Sequence, residues 1–405
     1  MSYSQRGSLS LPFRRHRPDY GIILITGILI LLGLILIYSI SPALQQRSQE
    51  PISEYHFIYR QLAFIGIGLV VFMLSAKLPL RVWRDLLPVL VILSILSLLL
   101  LPIIGTEANG AKRWIDIGWF WFQPAELVKF TMIIYLANFL SERTRLEKIN
   151  DRSHTIWPFL FVLLGVGLFV VILQKDLGTM ISIVFIALTM LYMSGVKVRD
   201  FLTICAALVG LGIGAVIMFP HRLSRITAFL HPEDNTESTS YHINQALIAI
   251  GSGGWLGRGL GKSVQVFGYL PEPANDSIFA ILAEKFGFIG SVFVLFLYGA
   301  LFVKILRIIP RSPNQFTCLI TSGVFAWLFG HVVINIGAMI GILPLTGITL
   351  PFISLGGSSM VFILGGLGIV FNISRFTDLS PVVKGGKSYE STALRGRHGR
   401  PRYAA

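Results

Sequence analysis

Two carboxylates, Glu272 and Asp276, stand four residues apart in Tyr269-Leu-Pro-Glu-Pro-Ala-Asn-Asp-Ser277. A carboxylate so placed can take a proton from a hydroxyl, which is general-base chemistry. It can equally cap the helix that follows, because Asp and Asn favour helix starts. A second group lies in Gln123-Pro-Ala-Glu-Leu-Val-Lys129. Pro124 suits the first helical position, which puts Gln123 at the cap and Glu126 near the positive end of the helix dipole. Lys129 is i,i+3 from Glu126 and can pair with it. Capping accounts for Glu126 but not for Lys129, which lies inside an apolar helix where charge is costly and marks function. Arg113, in Gly110-Ala-Lys-Arg-Trp-Ile115, and Asp176, in Gln174-Lys-Asp-Leu-Gly-Thr179, complete the set. A plain polar hairpin would also explain Asp176. Arg113 and Lys129 brought to one face with Asp176 and Asp276 would suit an amphiphilic ligand. Its anionic head would be held by the cations, and its lipid tail would lie between helices.

The elements that must position these residues are membrane helices. The chain has 405 residues, 54% hydrophobic and only 13% charged, and its mean hydropathy is +0.71. A soluble chain carries about 25% charged residues. A helix needs about 20 apolar residues to cross a bilayer. Ten runs qualify, at about 21–40, 58–76, 86–104, 124–141, 156–173, 177–194, 200–219, 278–303, 316–340 and 353–374. The sequence therefore predicts an all-α polytopic membrane protein with about ten transmembrane helices. The first run is too long for a cleavable signal, and no small-residue cleavage site follows it before Pro42. Cys205 and Cys318 sit in apolar runs and do not make a disulfide scaffold.

The net charge of +14 has a place in this topology. With the N-terminus inside, roughly two thirds of the 34 lysines and arginines fall on inner segments or tails, as the positive-inside rule requires. Basic residues there face anionic lipid. No stacking platform or basic groove supports nucleic-acid binding. Residues 1–19 and 376–405 read as disordered basic cytoplasmic tails around a membrane domain at 20–375. A long outer loop, about 220–277, is the main functional candidate. It contains polar Glu233, Asp234, Asn235 and Thr236, then the glycine-dense run Gly251-Ser-Gly-Gly-Trp-Leu-Gly-Arg-Gly-Leu-Gly261. Embedded Trp255 and Leu256 point to an ordered re-entrant or interfacial element. Trp114, Trp119 and Trp121 read as an interfacial aromatic belt. The stretch 341–359 breaks an apolar run with Gly, Pro and hydroxyls, which membrane depth tolerates only where backbone lines a cavity or is buried. His331 and Asn335 are i,i+4 and read as interhelical hydrogen bonders.

These segments carry a resemblance. GlyAlaLysArgTrpIle (110–115), GlnProAlaGlu…Lys (123–129), GlnLysAspLeuGlyThr (174–179), the stretch from Arg225 through LeuProGlu (270–272), and ProLeuThrGly…LeuProPheIleSerLeuGlyGlySerSer (344–359) occur in one order over residues 20–375. The chain resembles the SEDS family (FtsW, RodA, SpoVE) of peptidoglycan polymerases. ArgIleThrAlaPheLeuHisProGlu (225–233) and the glycine-dense run look most like the FtsW cell-division branch. Two departures stand out. Ala274-Asn-Asp-Ser277 replaces the family's usual His-Thr-Asp-Phe, and Gln174-Lys-Asp176 replaces Gln-Pro-Asp.

The resemblance implies glycosyl transfer on lipid II, with a sugar hydroxyl attacking an anomeric carbon and polyprenyl pyrophosphate leaving. Asp276 matches the family's catalytic Asp. Arg113, Lys129, Glu126, Gln123, Asp176, Glu272 and Ser354 are the substrate-binding candidates, the cations opposing the pyrophosphate. A divalent cation, Mg or Mn, is a further expectation with no visible ligand set. The implied partners are lipid II, a class B penicillin-binding protein transpeptidase, other division proteins and membrane lipid, with no nucleic acid. The implied location is the bacterial inner membrane at the division septum, both termini cytoplasmic. A precursor flippase or other transporter explains ten spans and intramembrane charge as well. A RodA-type elongation polymerase or a catalytically silent division scaffold would also fit the pattern.

Overall fold

The computed structural model describes residues 16–47, 53–108, 111–118, 120–217 and 238–377. The tail segments 1–15 and 378–405, the stretch 225–236 with its polar residues, Gly110 and Trp119 lie outside the described residues. The helices are α1 (Tyr20–Arg47), α2 (His56–Lys77), α3 (Leu80–Asp85), α4 (Leu87–Ile104), α5 (Pro124–Arg145), α6 (Trp157–Leu168), α7 (Leu177–Met193), α8 (Val198–Ile217), α9 (Ser238–Ser252), α10 (Ile278–Ile308), α11 (Gln315–Met339) and α12 (Gly357–Ile373). Each of the ten apolar runs holds a helix among the described residues, α6 being extended at both ends by π-helical turns and the last run turning helical only at Gly357.

Seven of these segments, among the described residues, are long and apolar enough to cross a membrane. The expected ten shrinks on that measure for visible reasons. α5 carries Glu126 and Lys129 near its start and Glu142, Arg143 and Arg145 at its end. α7 has only 17 residues. α8 is described only as far as Ile217. The chain is a multi-pass helical membrane protein. Large apolar side chains such as Phe161, Phe296 and Ile103 are exposed, as lipid-facing residues must be. α11 and α12 are 72% and 83% buried along their apolar windows, against 28% for α2 and α4, so they form the centre of the bundle.

The segment between α4 and α5 adds a small sheet to the expected all-α fold. It folds as an antiparallel sheet of β1 (Gly105–Ala108), β2 (Ala111–Asp116) and β3 (Trp121–Phe122), in that order. Ile115 pairs with Gly105 on one side and Phe122 on the other. The sheet delivers the chain to Pro124, and Gln123 is the N-cap of α5 as expected, though its side chain makes no cap bond.

α10 is broken at Gly287 (φ 67°, ψ −164°). The break frees backbone groups that must be satisfied. The glycine-dense run satisfies them: Arg258 N donates to Glu284 O at 2.9 Å, Gly259 N to Lys285 O at 3.0 Å, and Phe288 N to Gly254 O at 2.8 Å. Glu284, fully buried, accepts from Ser263 Oγ at 2.5 Å and Val264 N at 2.8 Å. Lys285 Nζ donates to Leu260 O at 2.6 Å. The run is thus an ordered element packed on a broken helix. Exposed Trp255 lies edge-on to Phe288, ring centroids 5.2 Å apart.

Candidate active site

The turn 270–277, which precedes α10, is tied to the centre of the bundle by backbone contacts. Asn335 Nδ2, on α11, donates to both Asp276 O and Ile348 O at 2.7 Å. Ser354 Oγ donates to Asn275 O at 2.6 Å and accepts from Leu350 N at 2.8 Å. Leu355 N donates to Ala274 O at 2.8 Å. The irregular segment 341–356 therefore clamps the turn, and its Gly, Pro and hydroxyl residues line the contact. Ser354 acts here as a strap on the turn.

Asp276 is buried, and its Oδ1 has no hydrogen-bond partner. Helix α10 is capped instead at Ser277, without a side-chain cap bond. The cap explanation for Asp276 fails because the helix begins one residue too late for it. Burial, reinforced by the negative charge of Glu272, pushes the Asp276 carboxyl up to about 7. Glu272 itself is exposed at the surface, in a left-handed conformation (φ 44°), and accepts from Asn275 Nδ2 at 2.6 Å. Gly347 (φ 73°) runs beside the carboxylate, since a Cβ there would lie 3.9 Å from Asp276 Oδ2, in ordinary contact.

Asp176, by contrast, is a helix cap. Its Oδ1 accepts from Thr179 N at 3.0 Å and its Oδ2 from Thr179 Oγ1 at 2.9 Å, at the start of α7. Arg113, on β2, donates from Nε to Gln174 O at 3.2 Å and from Nη2 to Lys175 O at 3.1 Å, bracing this turn. Gly178 brings the turn against the 341–356 segment, since a Cβ there would lie 2.8 Å from Thr346 O. So Arg113 and Asp176 join one turn, and that turn abuts the segment facing Asp276. Gln174 is 1% exposed, yet neither of its amide atoms has a partner.

Lys129 pairs with Glu126 as the spacing suggests, Nζ to Oε1 2.7 Å. Its second contact is His331 Nε2 at 3.1 Å, and that nitrogen also accepts from Trp327 Nε1 at 3.1 Å. The ammonium lies 5.4 Å from the Trp327 ring centroid. Lys129 is only 2% exposed, so it is a neutralised, held cation rather than an open one. Glu126 Oε2 and His331 Nδ1 remain buried and unpartnered. The buried polar side chains on this side of the fold thus keep unfilled valences at Asp276, Glu126, Gln174, His331 and Asn335. Buried polar atoms are normally satisfied, so these keep hydrogen-bonding capacity for polar groups from outside, as do Ser75 Oγ, Trp83 Nε1 and Arg143 Nε elsewhere in the bundle.

No group of three His, Cys, Asp or Glu side chains converges among the described residues. Asp176 is committed to Thr179 and Glu126 to Lys129. The residues present do not make a cation cage by themselves.

One residue was missed entirely by sequence reasoning. His242, on α9, places Nε2 2.6 Å from Ser277 Oγ, next to Asp276. A single His among the polar residues of a loop helix gives no signal of this contact.

Known proteins share this order of segments. A family model described as cell cycle protein, FTSW_RODA_SPOVE, matches residues 20–379. Stage V sporulation protein E of Bacillus subtilis is 36% identical over 90% of this chain and 99% of its own length. The probable peptidoglycan glycosyltransferase FtsW of Coxiella burnetii is 35% identical over 89% and 97%. A chain from a solved peptidoglycan synthase complex, described as coordinating polymerization and crosslinking, has a TM-score of 0.73 at 28% identity over 88% of this chain and 98% of its own. The rod shape determining protein RodA of Thermus thermophilus has a TM-score of 0.61 at 28% identity, covering 88% and 97%.

Proposed function

The chain belongs to the FtsW, RodA and SpoVE family and is a peptidoglycan glycosyltransferase, and from that premise we propose that it polymerises lipid II with Asp276 as general base. The observation that carries this reading is the Asp276 carboxylate itself. It is buried, unpartnered at Oδ1, and held by the Asn335 and Ser354 contacts to its turn.

A sugar hydroxyl is a poor nucleophile until its proton is partly removed. Asp276 accepts that proton as the hydroxyl oxygen bonds to the anomeric carbon of a second lipid II. The bond from that carbon to the pyrophosphate oxygen breaks from the opposite face. The product is a β-1,4 glycan with inversion, and polyprenyl pyrophosphate leaves. A carboxyl held near 7 by burial is matched to this task at neutral pH. Arg113 and Lys129 supply positive potential for the leaving group. Arg113, half-buried at the 174–175 turn, is the better placed to touch it. Lys129 acts from within the buried network with Glu126 and His331. Gln123, Asp176, Glu272 and Ser354 shape and hold the surrounding turns.

The division branch is the reading the sequence motifs favour. It carries a class B penicillin-binding protein as transpeptidase partner, other division proteins, and a septal inner-membrane location with both termini cytoplasmic. Similarity to a chain of a synthase complex supports a partnered enzyme. The test is polymerisation of labelled lipid II by the purified protein, alone and with that partner. Polymer from wild type and none from Asp276→Asn supports the reading. Equal polymer from both overturns it.

A further inference from the structure

Both ends of the membrane domain emerge at one face of the bundle, where they are clasped together. His16 N donates to Arg375 O at 3.0 Å, His16 Nε2 lies 3.0 Å from Thr377 O, and Asp19 N donates to Ser374 Oγ at 3.2 Å. Asp19 and Ser374 are 355 residues apart in the chain, so the clasp is tertiary structure and not local capping. It sets Arg17 and Arg375 on the rim of one cavity of about 480 Å³, walled by His16, Arg17, Pro18, Tyr20 and Arg375. The Arg375 guanidinium carbon lies 5.4 Å from the Phe371 ring centroid, and its Nε has no hydrogen-bond partner. Arg17 is exposed, and its side chain makes no hydrogen bond or ion pair among the described residues.

Two guanidinium groups on one rim repel unless an anion lies between them. The nearby carboxylate does not serve. Asp19 is spent on Lys304 of α10, whose Nζ donates to Oδ1 at 2.8 Å and Oδ2 at 3.0 Å, and on Gly21 N at 2.9 Å. Guanidinium forks match the oxygens of a phosphate. Tyr20, in the cavity wall, is also the first residue of α1, where the membrane span begins. From it an exposed apolar stripe of Tyr20, Leu24, Leu31, Ile35 and Tyr38 runs along α1 at helical spacing. Gly27 leaves a gap in that stripe, since a Cβ there would meet nothing within 4 Å. A cationic cavity at one end of a hydrocarbon lane has the shape of a phospholipid. We propose that this cavity binds an anionic phospholipid, its phosphate between Arg17 and Arg375 and an acyl chain along α1. Basic pockets at a membrane face recognise anionic head groups in this way. The site is separate from Asp276 and stands whatever the reaction there.

The experiment adds dioleoylphosphatidylglycerol, or dioleoylphosphatidylcholine at the same concentration, to the purified full-length protein in detergent. Native mass spectrometry reads the bound lipid, and tryptophan fluorescence reads the melting midpoint. Phosphatidylglycerol is expected to stay bound and raise the midpoint, and phosphatidylcholine to bind more weakly. A basic residue at an anionic surface is worth roughly fivefold in affinity, so Arg17→Gln/Arg375→Gln should weaken phosphatidylglycerol binding about thirtyfold. Arg17→Lys/Arg375→Lys keeps both charges and should retain most of the binding. Should the glutamine double variant melt below wild type without lipid, the exposed Arg17→Gln alone decides, with about a fivefold loss. Arg81→Gln/Arg199→Gln removes the same charge from two other exposed arginines and should leave binding unchanged. An equal loss in that control reduces the effect to general basic charge and overturns the inference. Wild-type binding by the folded glutamine variants overturns it too, as does phosphatidylcholine bound as tightly as phosphatidylglycerol. Inorganic phosphate at the lipid's concentration should not displace the lipid. Displacement would make this a free-phosphate site and overturn the lipid assignment.

Discussion

The side-chain amide of Asn335 donates to the carbonyl of Asp276 at 2.7 Å and, with its second hydrogen, to that of Ile348 at 2.7 Å. One amide on the central helix therefore holds both the turn carrying the base and the segment facing it. Asn335→Leu orphans two buried carbonyls, at about 1–3 kcal/mol each. The expected result is a protein of lowered melting temperature whose kcat falls more than its KM rises. Unchanged polymerisation by a stable Asn335→Leu protein would remove this amide from the account.

Asp276 works as a base only when ionised. Its carboxyl is raised to about 7, so it holds its proton at lower pH. The polymerisation rate should therefore rise with pH through about 7 and level off above. Glu272 contributes to the rise by repulsion. Glu272→Gln should move the midpoint to lower pH without abolishing activity, and a pH–rate series on both proteins reads this directly.

Lys129→Met alone leaves Glu126 buried with no counter-charge, which costs about 3–5 kcal/mol. Loss of activity in that variant would mix folding with function. The double variant Glu126→Gln/Lys129→Met removes both charges, so its melting temperature should recover toward wild type. Polymerisation should stay at least about 10²-fold down if the cation serves the leaving group. Recovered activity in the double variant would reduce the pair to a structural role.

Gly178→Ala places a Cβ 2.8 Å from Thr346 O, closer than real Cβ contacts allow. The 341–356 segment must shift, and with it the wall beside Asp276. A displacement of about 1 Å can cost a catalytic site 10²-fold. The check is kcat for Gly178→Ala against Gly210→Ala, where a Cβ meets nothing within 4 Å. Equal rates would show that the wall tolerates movement.

The helices were legible because long apolar runs have few other fates. The pairing of Lys129 with Glu126 followed from spacing alone, but its second partner did not, because His331 lies 202 residues away in sequence. Asp276 and Asp176 look alike in sequence, each a carboxylate before an apolar helix. They part by a single residue of register: Asp176 caps Thr179 N, while α10 starts at Ile278 and takes Ser277 as its N-cap. No propensity resolves one residue at a helix boundary. The sheet at 105–122 was hidden because its strands are short and lack a clean alternation. The His242 contact was hidden because it depends on how α9 docks, which loop sequence does not encode.

The meeting of the glycine-dense run with the break in α10 constrains how the chain can vary. A Cβ at Gly253 would strike Ala283 O, one at Gly257 would strike Lys285 O, and one at Gly287 would strike Gly257 N. In each case the obstacle is main chain, which no substitution can shrink. A clash between side chains can be repaired by trimming the partner, so such pairs drift together through neutral steps. These three positions have no such partner. Their epistasis is one-sided: each must remain glycine whatever happens at the other two. Mutational scans should therefore find all three intolerant singly, with no second-site suppressor among the side chains around them.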